Sequence, residues 1–278
     1  MTLVMGIVNV TPDSFSDGGR FFGTDAAVAH GLALRDQGAA ILDVGGESTR
    51  PGAERVDPAV EQRRVLDVVR ELAAAGALVC IDTMNASTAV AAVEAGARIV
   101  NDVSGGLADP DLLAAVAPTG ADVVLGHWRG PSADMYARAE YDDIVTDVLR
   151  ELGQRFEAAG AAGIAPARVV VDPGIGFGKK GAQNWDVLRG IPRLTGWGPR
   201  VLVGTSRKRF LAETLAGDAD IAEVDQDRRD LATAVTSVLA AQAGAWAVRV
   251  HDVVATRDAL GVARMWEGDR RWSPMRSH

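Results

Sequence analysis

The stretch Val169-Val170-Val171-Asp172-Pro173-Gly174-Ile175-Gly176-Phe177-Gly178-Lys179-Lys180 runs three valines into a carboxylate and then into a glycine-rich turn. Unbroken valine suits a parallel strand covered on both faces, because a strand with no wet side needs no polar alternation. The same pattern recurs along the chain. Apolar runs rich in Val and Ile at residues 4–10, 41–44, 78–82, 99–101, 123–125, 169–172, 201–203 and 247–250 each lead into a polar or glycine-rich turn. Helical periodicity fills the intervals. Val65, Val68, Val69 and Leu72 follow an Asp57-Pro58 start, where Asp can cap and Pro can occupy the first turn. Leu231, Ala234, Val235, Val238 and Leu239 form a second stripe, and Ile144, Val148 and Leu152 a third. Eight strands alternating with helices predict an α/β protein, a (β/α)8 TIM barrel in one domain over residues 1–268, with 269–278 as a short charged tail. A doubly wound open sheet is the structural alternative.

The strand ends say where chemistry would lie. Asn9, Glu47, Asp82, Asn101, His127, Asp172, Ser206 with Lys208, and Arg249 with His251 follow the successive apolar runs. In a barrel, these residues would gather at the C-terminal mouth, where active sites of this fold are built.

Bulk properties narrow the function classes. The chain has 278 residues, of which 47% are hydrophobic and 24% charged, and barrels of roughly 200–250 residues form single domains. Its net charge of −8 argues against general nucleic-acid binding, which needs a basic surface. The lone Cys80 excludes an internal disulfide framework and, inside an apolar run, reads as a small buried hydrophobe. The N-terminus lacks the basic region and long apolar core of a signal peptide. Residues 231–248 are interrupted by Thr233, Thr236, Ser237, Gln242 and Gly244, so no membrane span is expected. A cytoplasmic protein follows as the expectation.

Residues 9–19 form a long, polar, glycine-ended first loop suited to a mobile lid, or to an ordinary surface loop. Residues 45–52 offer two glycines for close approach and, in Arg50, a partner for a carboxylate or a simply solvated cation. Asp82, Asn101 and Asp172 combine acceptors with an amide able to donate and accept, a set suited to a flat heterocycle; Asp82 could instead cap the next helix. Gly176, Gly178 and Gly181 match G-x-G-x-x-G, but the next strand ends in Gly204-Thr205-Ser206 without an acid for a ribose. Pro173 and Lys180 likewise break a Walker A pattern. Ser206-Arg207-Lys208-Arg209 after the seventh strand, with Arg249 and His251 after the eighth, predicts anion binding where this fold often holds phosphate. His30, His127, His251 and His278 show no zinc-ligand spacing.

Residues 9–19, 45–52, 81–83, 101–106, 172–179, 206–210 and 249–252 resemble the signature segments of bacterial, actinobacterial-type dihydropteroate synthases, a family of pterin-binding barrels. The resemblance runs in order from about Val4 to Trp266. It implies an alkyl-transferring enzyme of folate biosynthesis, which condenses 6-hydroxymethyl-7,8-dihydropterin diphosphate with p-aminobenzoate to give 7,8-dihydropteroate and pyrophosphate. By that resemblance Asp82, Asn101, Asp172 and Lys208 hold the pterin ring, and Arg249 lies against the ring and reaches the diphosphate. Asn9 and His251 join Arg249 at the phosphates, with Asn9 helping to hold Mg²⁺. Thr49, Arg50, Pro51, Ser206 and Phe177 line the p-aminobenzoate pocket, and Asp13, Phe15 and Asp17 complete the closed site. Bond breaking is implied to be SN1-like, without a strong general base. Sulfonamides are implied as competing inhibitors, and a homodimer as the assembly.

Two departures from the family pattern stand out. Gly126 occupies a position where methionine is common, which implies a roomier pterin pocket, and Gln183 replaces a common histidine. Three other readings are an inactive pterin-binding paralogue, a methyltetrahydrofolate–corrinoid methyltransferase, and a scaffold. The paralogue would be expected to erode Ser48-to-Gly52 and Ser206-to-Lys208, which are present. The methyltransferase leaves the p-aminobenzoate and phosphate residues without a purpose. The scaffold leaves the polar strand ends unexplained.

Overall fold

A computed structural model describes residues 1–10, 20–48, 55–131, 136–137 and 139–268, the side chains of 20–22 excepted. Eight parallel strands close on themselves in sequence order. They are β1 (Leu3–Asn9), β2 (Ile41–Gly45), β3 (Val79–Asp82), β4 (Ile99–Asp102), β5 (Asp122–Gly126), β6 (Val169–Asp172), β7 (Arg200–Val203) and β8 (Ala247–Val250). Closure rests on β1 pairing with β8 through Leu3↔Ala247 to Gly6↔Val250, which rules out the open doubly wound sheet. The expected strands all form, with ends differing by at most one residue.

The helices are α1 (Arg20–Asp36), α2 (Pro58–Ala74), α3 (Ala86–Glu94), α4 (Leu112–Val116), α5 (Ile144–Ala161), α6 (Ala182–Arg189), α7 (Ile191–Thr195), α8 (Arg209–Ala216), α9 (Gln226–Gln242) and α10 (Val253–Trp266). Asp57 caps α2 as expected: its carboxylate accepts from the Ala59 and Val60 amides, with Pro58 in the first turn. The α2 stripe of Val65, Val68, Val69 and Leu72 is fully buried. The α9 stripe splits: Ala234 is buried and Val238 packs on the core, but its three other members face out. Leu231, Val235 and Leu239 are 66%, 51% and 55% exposed, while Asp230, Thr233, Thr236 and Ser237 face inward. Among the described residues no helix is long and apolar enough to cross a membrane.

Strand pleating explains how an apolar barrel carries a polar mouth. Met5, Ile41, Cys80, Ile99, Val124, Val170, Leu202 and Ala247 form one inner cluster with one residue from each strand. Side chains alternate across a strand, so the inward position recurs every second residue. Two residues further along stand Ile7, Asp43, Asp82, Asn101, Gly126, Asp172, Gly204 and Arg249. A further step reaches Asn9 on β1, Ser206 after β7 and His251 after β8. The floor is therefore aliphatic and the layer above it is charged. Cys80 is buried in the floor, where burial and the neighbouring Asp43 carboxylate push its thiol pKa well up, so it is an inert hydrophobe.

Candidate active site

Arg249 is the centre of the charged layer. Its Nε donates to Asp43 Oδ2 at 2.5 Å and its Nη2 to Asp82 Oδ2 at 2.7 Å. Asn101 Nδ2 donates to the same Asp43 oxygen at 3.2 Å. Asp43 is wholly buried, whereas Asp82 and Arg249 border the mouth. Burial drives the Asp82 carboxyl up; Arg249 opposes this, and the second carboxylate of Asp43 reinforces it. Arg249 is correspondingly held charged by its two carboxylates, against the pull of burial.

The β6 and β7 loops supply the next wall. Asp172 Oδ1 accepts from the Gly174 amide at 2.7 Å, so one oxygen braces the turn. Lys208 Nζ donates to the Ile175 carbonyl and stands 4.6 Å from the Phe177 ring centroid. Burial lowers the Lys208 pKa to about 8, with Asp172 holding it up and Arg249 pressing it down. Ser206 Oγ lies 2.8 Å from His251 Nδ1 and accepts from the His251 amide at 3.1 Å. The Ser206 hydroxyl, engaged by both the amide and Nδ1, fixes the orientation of the His251 ring.

The turn under Phe177 is held from below by a buried cation. Lys179 is 1% exposed and lies within 2.9 Å of the Gly174 and Phe177 carbonyls and of His127 Nδ1. His127 Nε2 is 2.9 Å from Glu151, which Arg129 also holds. A ring that donates to a carboxylate through Nε2 must accept at Nδ1, so Lys179 donates all three of its protons. Burial and Lys179 keep His127 neutral, with a pKa lowered to about 4.

Most of the expected residues converge, and some do not. Asn9, Asp82, Asn101, Asp172, Ser206, Lys208, Arg249 and His251 occupy the mouth, with Phe177 beside Lys208. Glu47 instead braces the second loop, bonding Arg55 at 3.1 Å and the Val56 amide at 3.0 Å. His127 turns away to Lys179 and Glu151. Of the basic run only Lys208 enters the site: Arg207 pairs with Asp230 on α9, and the exposed Arg209 pairs with Glu213. Asp82 does not cap α3, whose start instead has Thr83 Oγ1 accepting from the Asn85 amide. Gly126 does not open extra room, because a Cβ there would run into the Val103 backbone. Gln183 closes the start of α6 by accepting from the Lys180 amide and donating to the Ala139 carbonyl. Asp13, Phe15, Asp17, Thr49, Arg50 and Pro51 lie outside the described residues, as does the 269–278 tail.

Sequence reasoning missed Asp43, Glu61 and Lys179. Asp43 had a legible signal, a carboxylate in the middle of Ile41-Leu42-Asp43-Val44-Gly45 at an inward-facing position. Glu61 had none, because it looks like any helix-surface acid. In the fold it is fully buried and accepts from Thr83 at 3.0 Å and Asn85 at 2.8 Å.

Known proteins are similar to this chain in sequence and fold. The family model for "pterin binding enzyme" matches residues 5–251. The chain belongs to the pterin-binding enzyme family. Among relatives, the dihydropteroate synthase of Mycobacterium leprae is 54% identical over 264 residues, 95% of this chain and 93% of that protein. Among solved pterin-binding enzymes, the Xanthomonas albilineans dihydropteroate synthase with 4-aminobenzoic acid superposes with a TM-score of 0.87 at 45% identity, covering 98% of this chain and 94% of that one. A Yersinia pestis dihydropteroate synthase in a sulfonamide drug complex superposes at 0.88 with 38% identity, covering 96% and 94%.

Proposed function

We infer that this protein is a dihydropteroate synthase, joining 6-hydroxymethyl-7,8-dihydropterin diphosphate to p-aminobenzoate with release of pyrophosphate. The observation that carries the reading is the charged layer of Asp43, Asp82, Asn101, Asp172 and Arg249 set directly on the apolar barrel floor, beneath Lys208 and His251. The synthase name of a relative 54% identical over most of the chain supports it and does not favour the methyltransferase or inactive-paralogue alternatives.

In this reading Asp82, Asn101 and the second oxygen of Asp172 pair with the donor–acceptor edge of the pterin, and Lys208 donates to it. Arg249 keeps one face on the ring and extends its remaining N–H groups toward the diphosphate. The methylene C–O bond then breaks, and its electron pair leaves with the diphosphate. Arg249 and the His251 imidazole stabilise that departing charge, so the catalysis is electrostatic. Asp82 opposes the cation left on the pterin methylene, joined by Asp13 and Asp17 of the first loop. The aniline nitrogen of p-aminobenzoate, unprotonated near neutral pH, donates its lone pair to the methylene and loses a proton to solvent. Phe177 and Ser206, with Thr49, Arg50, Pro51 and Phe15, form the p-aminobenzoate pocket.

Magnesium fits this reading on the chemistry of its donors. No group of three acidic, His or Cys side chains gathers among the described residues, and the Asn9 amide has no hydrogen-bond partner among them. One amide oxygen suits an ion that keeps several waters and takes substrate phosphates as ligands. When bound, Mg²⁺ would neutralise charge on the diphosphate.

The assembly in this reading is a homodimer, for which the exposed Leu231, Val235 and Leu239 of α9, beside Val262 and Met265 of α10, provide an apolar face. The reaction would run in the cytoplasm. Sulfonamides, which carry an aniline and an anionic end, would compete for the p-aminobenzoate pocket, and excess p-aminobenzoate would relieve them.

The test is pyrophosphate release from the pterin diphosphate with Mg²⁺, with and without p-aminobenzoate. Release coupled to dihydropteroate is expected. Saturable pterin binding by a folded protein that forms no product would overturn the synthase reading.

A further inference from the structure

Arg207 is the non-glycine residue with a positive φ, +59°, among those described. Left-handed backbone costs an L residue free energy that glycine does not incur, and persists only where surrounding contacts over-determine it. Here the contacts come from one helix. Arg207 Nε and Nη2 donate to Asp230 Oδ1 and Oδ2, both at 2.7 Å. The Arg207 amide donates to Thr233 Oγ1 at 3.2 Å, and Thr205 Oγ1 lies 2.8 Å from Thr236 Oγ1. Gln226, with its amide oxygen turned toward Arg207, accepts from the same guanidinium at 2.9 and 2.8 Å. Asp230, Thr233 and Thr236 are spaced three apart, which places them on one face of α9. That polar face is buried against the β7 loop while Leu231, Val235 and Leu239 face out.

We propose that Arg207 is a positioning residue for the reaction: the α9 clamp forces its left-handed turn, and that turn aims the two flanking side chains into the site. On one side Ser206 reaches His251, and on the other Lys208 reaches the Ile175 carbonyl and Phe177. The arginine itself points away from the mouth. In an extended backbone at residue 207, Ser206 and Lys208 would share one face and point the same way, whereas the turn sends one to His251 beside β8 and the other to the β6 loop. The turn therefore decides whether the phosphate end and the pterin end are served at once. The inference rests on the pterin-diphosphate reading of the site.

Its test uses backbone relief rather than simple loss. Asp230→Ala removes the clamp but keeps an L residue at position 207. The variant is expected to raise the KM for the pterin diphosphate at least fivefold and to lower kcat. Adding Arg207→Gly to Asp230→Ala removes the penalty on the left-handed turn, and is expected to recover at least half of that KM loss while the lowered Tm does not recover. Kinetic constants within twofold of wild type in folded Asp230→Ala would make the clamp a staple of α9 alone. A double variant no better than Asp230→Ala would equally overturn the role of the turn. Should Asp230→Ala fail to fold, Asp230→Asn with and without Arg207→Gly reads the same contrast. Wild-type protein that forms no dihydropteroate would instead count against the parent reading.

Discussion

Arg249 stands between two carboxylates, and its removal would be felt twice. Arg249→Ala strands Asp43 and Asp82 as buried like charges, so a loss of about 3–5 kcal/mol in stability is expected. Turnover should fall by about 10²–10³, the scale of losing one preorganised donor to developing charge. Adding Asp43→Asn should return much of the stability and none of the turnover. Urea unfolding beside a product assay separates the two, and near-normal turnover in Arg249→Ala would sink the phosphate role. Asp82 sets a pH dependence as well. Burial raises its pKa; Arg249 opposes the rise, and Asp43 adds to it. The ionised form accepts pterin N–H groups through charge-assisted bonds that the neutral acid lacks, so affinity should drop as pH falls through that raised value, above the ordinary carboxylate range of about 4. Calorimetric pterin titrations that stay flat from about pH 7 to 5 would overturn this.

Helices α2 and α9 show what periodicity can and cannot say about an element. In α2 the Asp57-Pro58 start and the Val65–Leu72 stripe agree with the fold, because the apolar stripe is the face that packs on the barrel. Asp57→Ala should cost about 1 kcal/mol and lower Tm by roughly 2–4 °C, leaving kinetic constants unchanged. A change in KM would mean that the cap also sets the second loop. In α9 the same arithmetic finds the stripe, but only Ala234 and Val238 of it turn inward while Leu231, Val235 and Leu239 face out. Its buried face carries Asp230, Thr233, Thr236 and Ser237, because the β7 loop beneath offers hydroxyls, an amide and a guanidinium. Nothing within the helix records what packs against it.

At the scale of the molecule, the outward stripe becomes a statement about assembly. Leu231, Val235 and Leu239 lie four apart, on one exposed face of α9. The proposed dimer predicts that the 29.1 kDa chain sediments at twice that mass. Val235→Glu should shift it to monomer while leaving the barrel folded by circular dichroism. A monomer in the wild type, or a dimer indifferent to Val235→Glu, would remove this face from the assembly.

Strand order, the parallel barrel and the main mouth residues were legible in the chain. Each depends on local signals: unbroken apolar runs, the polar residue that ends them, and helical spacing between them. Asn9, Asp82, Asn101, Asp172, Lys208 and Arg249 could be named because strand ends of this fold share one rim. The brace beneath them was decided only in three dimensions. Asp43 meets Arg249 across 206 residues of sequence, and Lys179 meets His127 across 52. Gly126, read as an opening, is filled by the Val103 backbone of the neighbouring loop. Hydrophobic pattern is a property of one segment at a time. The partner of a buried charge is settled by barrel closure and loop packing, which bring distant segments within hydrogen-bond reach.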